Sequence, residues 1–251
     1  TSAQTYSGTT TIRGGILQLR DDASLSSTAG LTNYFGTLNL DNSNFTNFNN
    51  PNRIANTNAI TLRGGTVILT GAPGLTSTES LGTVTLQGGA TSGGANVITS
   101  TAGNAGTAVL TIDNLVRNTA GTTLNFTGTN LGQAGSGNSQ IILNNINGAA
   151  PSLTNGIIGG WATVNGTDFA TYMTPTATQG GVGALGSLNY GFYSGTALTA
   201  GTATDNITVG ASVSGLTGAN RPAFSTITIA GEFSVRKMSA GEFSPSCTIW
   251  F

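Results

Sequence analysis

A single-domain, right-handed parallel β-helix, a β-solenoid, is the fold this sequence predicts, and three observations predict it. The first is a recurring strand–turn–strand unit. Thr5–Leu19 (TYSGTTTIRGGILQL) returns around Thr61 as TLRGGTVIL and around Thr85 as TLQGG. The interval from Arg13 to Arg63 is 50 residues and that from Gly64 to Gly88 is 24. Gly36–Leu40 (GTLNL) supplies a strand between the first two copies, so the chain reads as units of about 25 residues, a solenoid period. The second is alternation: Ile12, Leu17 and Leu19 are interleaved with Thr11, Arg13 and Gln18, the pattern of a half-buried strand. The third is that no segment carries a helical period. One such unit has a small apolar face that it cannot bury alone. Stacking copies about 4.8 Å apart pairs each strand with the next and builds a continuous narrow core.

The elements follow in order. Thr1–Leu40 holds the first units, with Gly14-Gly15 as a turn where positive φ costs little, and Arg20-Asp21-Asp22 as a solvated turn after a strand. Asp41–Ile54 (DNSNFTNFNNPNRI) is an Asn-rich loop whose Phe45 and Phe48 are expected to fold back over the wall. Asn58–Gly89 is the clearest repeat, with Ile60, Leu62, Val67, Leu69, Val84 and Leu86 pointing inward. Ala90–Gly106 has only Val97 and Ile98 as apolar anchors and reads as a coil with loose corners. Val109–Ile112, Thr123–Phe126 and Gln140–Leu143 supply strands, and Arg117 is placed to pair with Asp113 across a turn. Trp161, Phe169 and Tyr172 form a local aromatic core. Gly181–Gly186 is formally G-x-G-x-x-G, but the strand-like Ser187–Tyr193 follows it where a dinucleotide site needs a helix. Asn206–Val213 and Thr226–Ile229 close a solenoid of about ten coils over 1–229, roughly 50 Å long. The core is expected to include Ile12, Leu38, Leu62, Val84, Ile112, Leu124 and Ile141.

Residues 230–251 change character. Ala230–Ser234 and Ala240–Ser244 are both AGEFS, and the tail holds the only lysine, Lys237, and the only cysteine, Cys247. Glu-Phe is what a common cloning site encodes, so the tail reads as a cloning-derived extension; a pair of capping strands is the alternative.

Thr5, Tyr6, Gly8, Thr10, Thr11, Ile12, Gly15, Leu17 and Leu19 match the pattern T-Y-x-G-G-T-T-I-x-x-G-x-L-x-L, with Thr9 in place of its second glycine. In this stretch the chain resembles the autotransporter-associated β-strand repeat of bacterial passenger proteins. Asn155–Tyr172 (NGIIGGWATVNGTDFATY) resembles a second segment found in the same passengers. The resemblance implies a β-helix displayed outside the cell or on the outer-membrane surface. It also implies a fragment from within a longer passenger chain, and partners such as surface polysaccharide or the surface of a host or neighbouring cell. No signal peptide is recognised at Thr1 and no membrane barrel at the end.

Composition bounds the chemistry. Charged residues are 7%, with 8 basic and 9 acidic, so there is no run of Lys and Arg to neutralise phosphates and nucleic acid is not an expected partner. No apolar stretch reaches the roughly 20 residues of a membrane-spanning helix. With no histidine and one cysteine, Ser-His-Asp triads, His-bearing metal sites and internal disulfides are excluded, and no cofactor is implied. No G-x-S-x-G elbow is present either.

Three functions follow. The leading one is a structural or adhesive passenger segment. The second is a β-helix hydrolase of polysaccharides or esters without histidine, a reading a vector-encoded tail keeps open because such a clone from environmental DNA would be retained for an activity. Two carboxylates about 5–5.5 Å apart serve a retaining glycosidase, and neighbours on adjacent coils lie that close. Its candidates are Asp21, Asp22, Asp41 and Asp113, with Glu79 as a further carboxylate. The third is a carbohydrate-binding module using Tyr190, Phe192 and Tyr193.

Overall fold

The computed structural model describes residues 2–44, 49–89, 94–187, 190, 193, 205–209 and 226–229. The chain divides into two compact units, Thr1–Tyr193 and Ser194–Phe251. Every element among the described residues is a strand, and no helix is long and apolar enough to cross a membrane.

The first unit is a parallel β-solenoid. Its strands come in pairs, one pair to a rung: β1 (Thr10–Arg13) and β2 (Ile16–Arg20), β3 (Leu31–Tyr34) and β4 (Thr37–Asp41), β5 (Ile60–Arg63) and β6 (Thr66–Thr70). Then follow β7 (Thr76–Leu86) and β8 (Ala95–Thr101), β9 (Thr107–Arg117) and β10 (Thr123–Gly128), β11 (Ser139–Ile146) and β12 (Ala162–Val164). Odd strands stack in the order β1-β3-β5-β7-β9-β11, and even strands from β2 to β12 beside them. All of these neighbours are parallel.

Register sets the number of rungs in the first unit, which holds six of the ten coils expected over 1–229. Arg13 lies beside Tyr34 and Tyr34 beside Arg63, so the 50-residue interval is indeed two rungs, of 21 and 29 residues. Ile60 to Val84 is 24, but Val84 to Leu115 and Leu115 to Ile146 are 31 each. β7, β9 and β11 each run on through a bend without any change of offset. Pairing skips Gly82, Asp113 and Asn144 and resumes on the far side. Six rungs therefore use the chain to Val164, a mean spacing longer than the expected 25 residues or less per coil.

The apolar columns stack as the alternation requires. Ile12, Leu38, Leu62, Val84, Ile112, Leu124 and Ile141 are all buried, as are Ile60, Val67, Leu69 and Leu86. The turns between odd and even strands are held from inside by asparagine. Buried Asn33 donates from Nδ2 to the Gly36 and Thr66 carbonyls and accepts from the Gly36 N–H, each at 3.0 Å. Two rungs on, Asn96 Oδ1 accepts from Gly64 and Gly65 at 2.9 and 3.3 Å. Gly65 has no alternative there, since a Cβ would sit 2.6 Å from the Asn33 side chain.

After β12 the chain reverses. β13 (Asp168–Met173) pairs antiparallel with β12, and β14 (Gly181–Ala184) antiparallel with β13. The strand expected over Ser187–Tyr193 is instead a turn where it is described: Ser187 N–H donates to Ala184 O and Tyr190 N–H to Ser187 O, both at 3.0 Å. Trp161 and Tyr172 pack half-buried against the core. In the second unit, β15 (Asn206–Val209) pairs parallel with β16 (Thr226–Ile229). Phe45, Phe48 and the 230–251 tail lie outside the described residues.

Candidate functional site

The carboxylates named from the sequence fall in two places. Asp41 ends β4 directly beside Arg20 in the ladder, and Asp21 follows β2 with a left-handed φ of 56°. Arg20 Nε lies 3.9 Å from Asp21 Oδ1 and 3.9 Å from Asp41 Oδ2. Asn44 donates to Asp21 Oδ1 at 2.6 Å, Gln18 to Asp41 Oδ2 at 2.6 Å and the Ser43 N–H to Asp41 Oδ1 at 2.8 Å. Burial works against charge on Asp41, but the bonds from Ser43 and Gln18 and the Arg20 charge outweigh it and hold the carboxyl below its usual range. A carboxyl held ionised accepts hydrogen bonds and is a poor general acid near neutral pH. Asp22 is exposed in the same turn.

Beneath this pair runs a buried polar plug. Arg53 is fully buried, donating from Nε to Asn42 Oδ1 and from Nη1 to the carbonyls of Asp21 and Ala23, each at 2.9 Å. Glu79, in mid-β7, accepts the Arg53 N–H at 3.1 Å on one oxygen and the Ile54 N–H at 3.0 Å on the other. Burial outweighs those donors and the Arg53 charge, and lifts the Glu79 carboxyl to about 7. Glu79 is 1% exposed. With both oxygens on backbone N–H groups, it fastens the third rung to the fourth.

Asp113 stands apart, on the Gly82–Asp113–Asn144 bend. There a groove of 390 Å³ is lined by Asn56, Thr57, Ser80, Thr83, Asp113 and Asn144, among others. Asn144 Nδ2 donates to Asp113 Oδ1 at 3.4 Å and Asn145 Nδ2 to the Asp113 carbonyl at 3.1 Å. The groove brings one carboxylate together with amides and hydroxyls, a lining suited to hydrogen-bonding a polar molecule. The pairing of Arg117 with Asp113 does not form. Arg117 instead donates to the carbonyls of Thr122 and Ala120 and lies over the Trp161 ring, 5.4 Å from its centre.

Of the aromatic trio, Tyr190 is buried, its hydroxyl donating to Gly181 O at 2.8 Å, and burial raises its pKa. Half-buried Tyr193 donates to Asp168 Oδ1 at 2.7 Å. Phe192 lies outside the described residues. The structure thus gathers Asp21, Asp22 and Asp41 around Arg20 and Arg53, and leaves Asp113 alone in its groove. Among the described residues no cluster of three or more Cys, Asp or Glu side chains is arranged to hold a metal ion.

Two features escaped the sequence reading. Arg53 sits in an Asn-rich loop with no periodic signal. The outward column Arg13–Tyr34–Arg63 was within reach, because Arg13 and Arg63 occupy the same place in the repeat.

Fold and site together define a parallel β-solenoid with a buried polar plug and polar outer columns. Neither a family model, a curated protein nor a solved structure matches the chain.

Proposed function

We propose that this chain is a structural, adhesive segment of a surface-displayed or secreted bacterial passenger protein. The observation that carries the reading is the in-register stack. Each rung lies in register over the last, so outward side chains form columns along the solenoid axis, and polar side chains bond from rung to rung. Asn39 accepts from Thr70 Oγ1 at 3.1 Å, Thr99 and Thr127 share a 2.6 Å bond, and Thr163 donates to Asn125 at 3.2 Å. Such ladders stiffen a rod and present a repeating polar surface, which is what a spacer or adhesive stalk requires. The resemblance of Thr5–Leu19 to the autotransporter-associated repeat supports the same reading.

Immunolabelling of intact producing cells tests it. Antibody raised against the purified chain is expected to label unpermeabilised cells or their medium. Labelling only after permeabilisation would overturn the reading.

A further inference from the structure

We propose that the outer face of the β1-β3-β5-β7 wall binds a polyanionic polysaccharide, seating its carboxylate or sulfate groups on Arg13 and Arg63. The proposal gives the display reading a ligand and rests on that reading only for the glycan's access to the face.

The geometry is set by register. Ile12 and Leu62 point into the core, so Arg13 and Arg63, next along their strands, point out. Tyr34 lies between them in the ladder, one rung from each. Arg13 Cζ is 4.9 Å from the centre of the Tyr34 ring and Arg63 Cζ is 5.3 Å from it. The ring holds a guanidinium from each flanking rung, which fixes both cations about 10 Å apart, two rung spacings. Stacking uses the faces of a guanidinium and leaves its N–H edge free for a planar or tetrahedral oxyanion. Arg63 Nε donates to Gln87 Oε1 at 3.3 Å, which orients the fork and extends the column by one rung. Neither Arg13 nor Arg63 forms an ion pair with a carboxylate among the described residues.

Beside this column runs a second. Thr11, Thr32, Thr61 and Thr85 are neighbours on successive rungs, two residues before Arg13, Tyr34, Arg63 and Gln87. The face therefore offers a row of hydroxyls parallel to a row of spaced cations, about 7 Å away. Sugar hydroxyls and regularly spaced anionic groups on one chain match both rows at once. A nucleic acid fits less well. An arginine from each flanking rung lies over Tyr34, and although Phe35 beside it is exposed, the net charge of −1 supplies no broad basic field to hold a phosphate backbone there.

The test is equilibrium binding of the full 251-residue chain to heparin, polygalacturonate, neutral dextran and a short single-stranded oligodeoxynucleotide. Binding is expected to heparin, polygalacturonate or both, weakening with salt, and the two arms tell sulfate from carboxylate recognition. Arg13→Ala and Arg63→Ala are each expected to weaken it about tenfold. Arg13→Lys with Arg63→Lys should recover part of the loss, because charge returns without the fork. Arg20→Gln, which removes the same charge from another wall, should leave affinity unchanged. Circular dichroism confirms that each variant keeps its β-sheet. Binding to neither polyanion, equal binding to dextran, tighter binding to the oligonucleotide, or full affinity in the double alanine variant would overturn the proposal. Cell-surface labelling is indifferent to these outcomes, so failure here and failure of the display reading are told apart.

Discussion

The six-rung stack and the β12–β14 segment after it close their backbone hydrogen bonds in opposite ways. In the stack each strand lies beside its counterpart one turn on, so identical requirements recur at identical places and like residues pile on like. In β12–β14 the chain folds back on itself and each contact is made once. Gly183 is there because a Cβ would stand 2.6 Å from the Tyr190 ring, and Gly181, at φ 85°, because a Cβ would stand 2.5 Å from Ile141 O. The stack tolerates variation between rungs, provided that the column survives. The closing segment depends on particular atoms meeting.

The largest effect should come from breaking a column. Leu62→Asp places an unpartnered charge in a fully buried row and is expected to cost about 4 kcal/mol or more, preventing folding. Thr61→Asp, one residue away on the outer face, is expected to cost about 0.5 kcal/mol. Denaturant titration of the pair measures the difference, and equal damage would place the register one residue out.

Next is the plug. Glu79→Ala strips the buried Arg53 and Ile54 N–H groups of their acceptor and leaves a void beside the buried guanidinium. A loss of about 2–5 kcal/mol is expected, from two buried donors left unsatisfied. A loss below about 1 kcal/mol would show that the plug is not holding the third and fourth rungs together.

In the closing segment, Gly183→Val should cost about 1–3 kcal/mol by pushing the Tyr190 ring aside. Hydrogen exchange should rise over β13 and β14 and stay unchanged over β3–β8. A uniform rise would mean that the two regions unfold as one.

The smallest effect is on pH dependence. Folded Glu79 keeps its proton up to about 7, whereas the unfolded residue loses it near the usual 4.5. Between those values the folded state binds more protons, so stability should fall as pH rises. Asp41 acts oppositely: its folded value lies below the usual 3.8, so its contribution is present above 3.8 and lost on further acidification. Thermal midpoints should therefore decline from pH 5 to 7, and Glu79→Gln should flatten that decline. A rise over the same range would show that Glu79 is ionised beside Arg53.

The same comparison explains what was legible in the sequence. Parallel stacking repeats its demands, so Ile12, Leu62 and Val84 could be assigned to the core from alternation alone. The first three intervals were readable because each carries a Gly-Gly or Phe-Gly turn at the same place. The rung count was not, since the intervals after Val84 stretch to 31 residues, beyond the period of about 25 that the first copies show. Ser187–Tyr193 alternates like a strand, yet Tyr190 is spent on packing Gly183. The meeting of Asp21 with Asp41 depends on register between rungs of unequal length. Arg53 and Glu79 find each other across the interior, 26 residues apart, with no local pattern to announce either.

Register is the central claim, and engineered cysteine pairs test it most directly. In a Cys247→Ser background, Thr32→Cys with Thr61→Cys places two thiols on ladder neighbours, within the Cα separation a disulfide needs. Thr32→Cys with Arg63→Cys moves one partner two residues along the strand, beyond that reach. Under mild oxidation the first pair is expected to cross-link and the second to remain free. Cross-linking of the second pair without the first would contradict the in-register parallel stack.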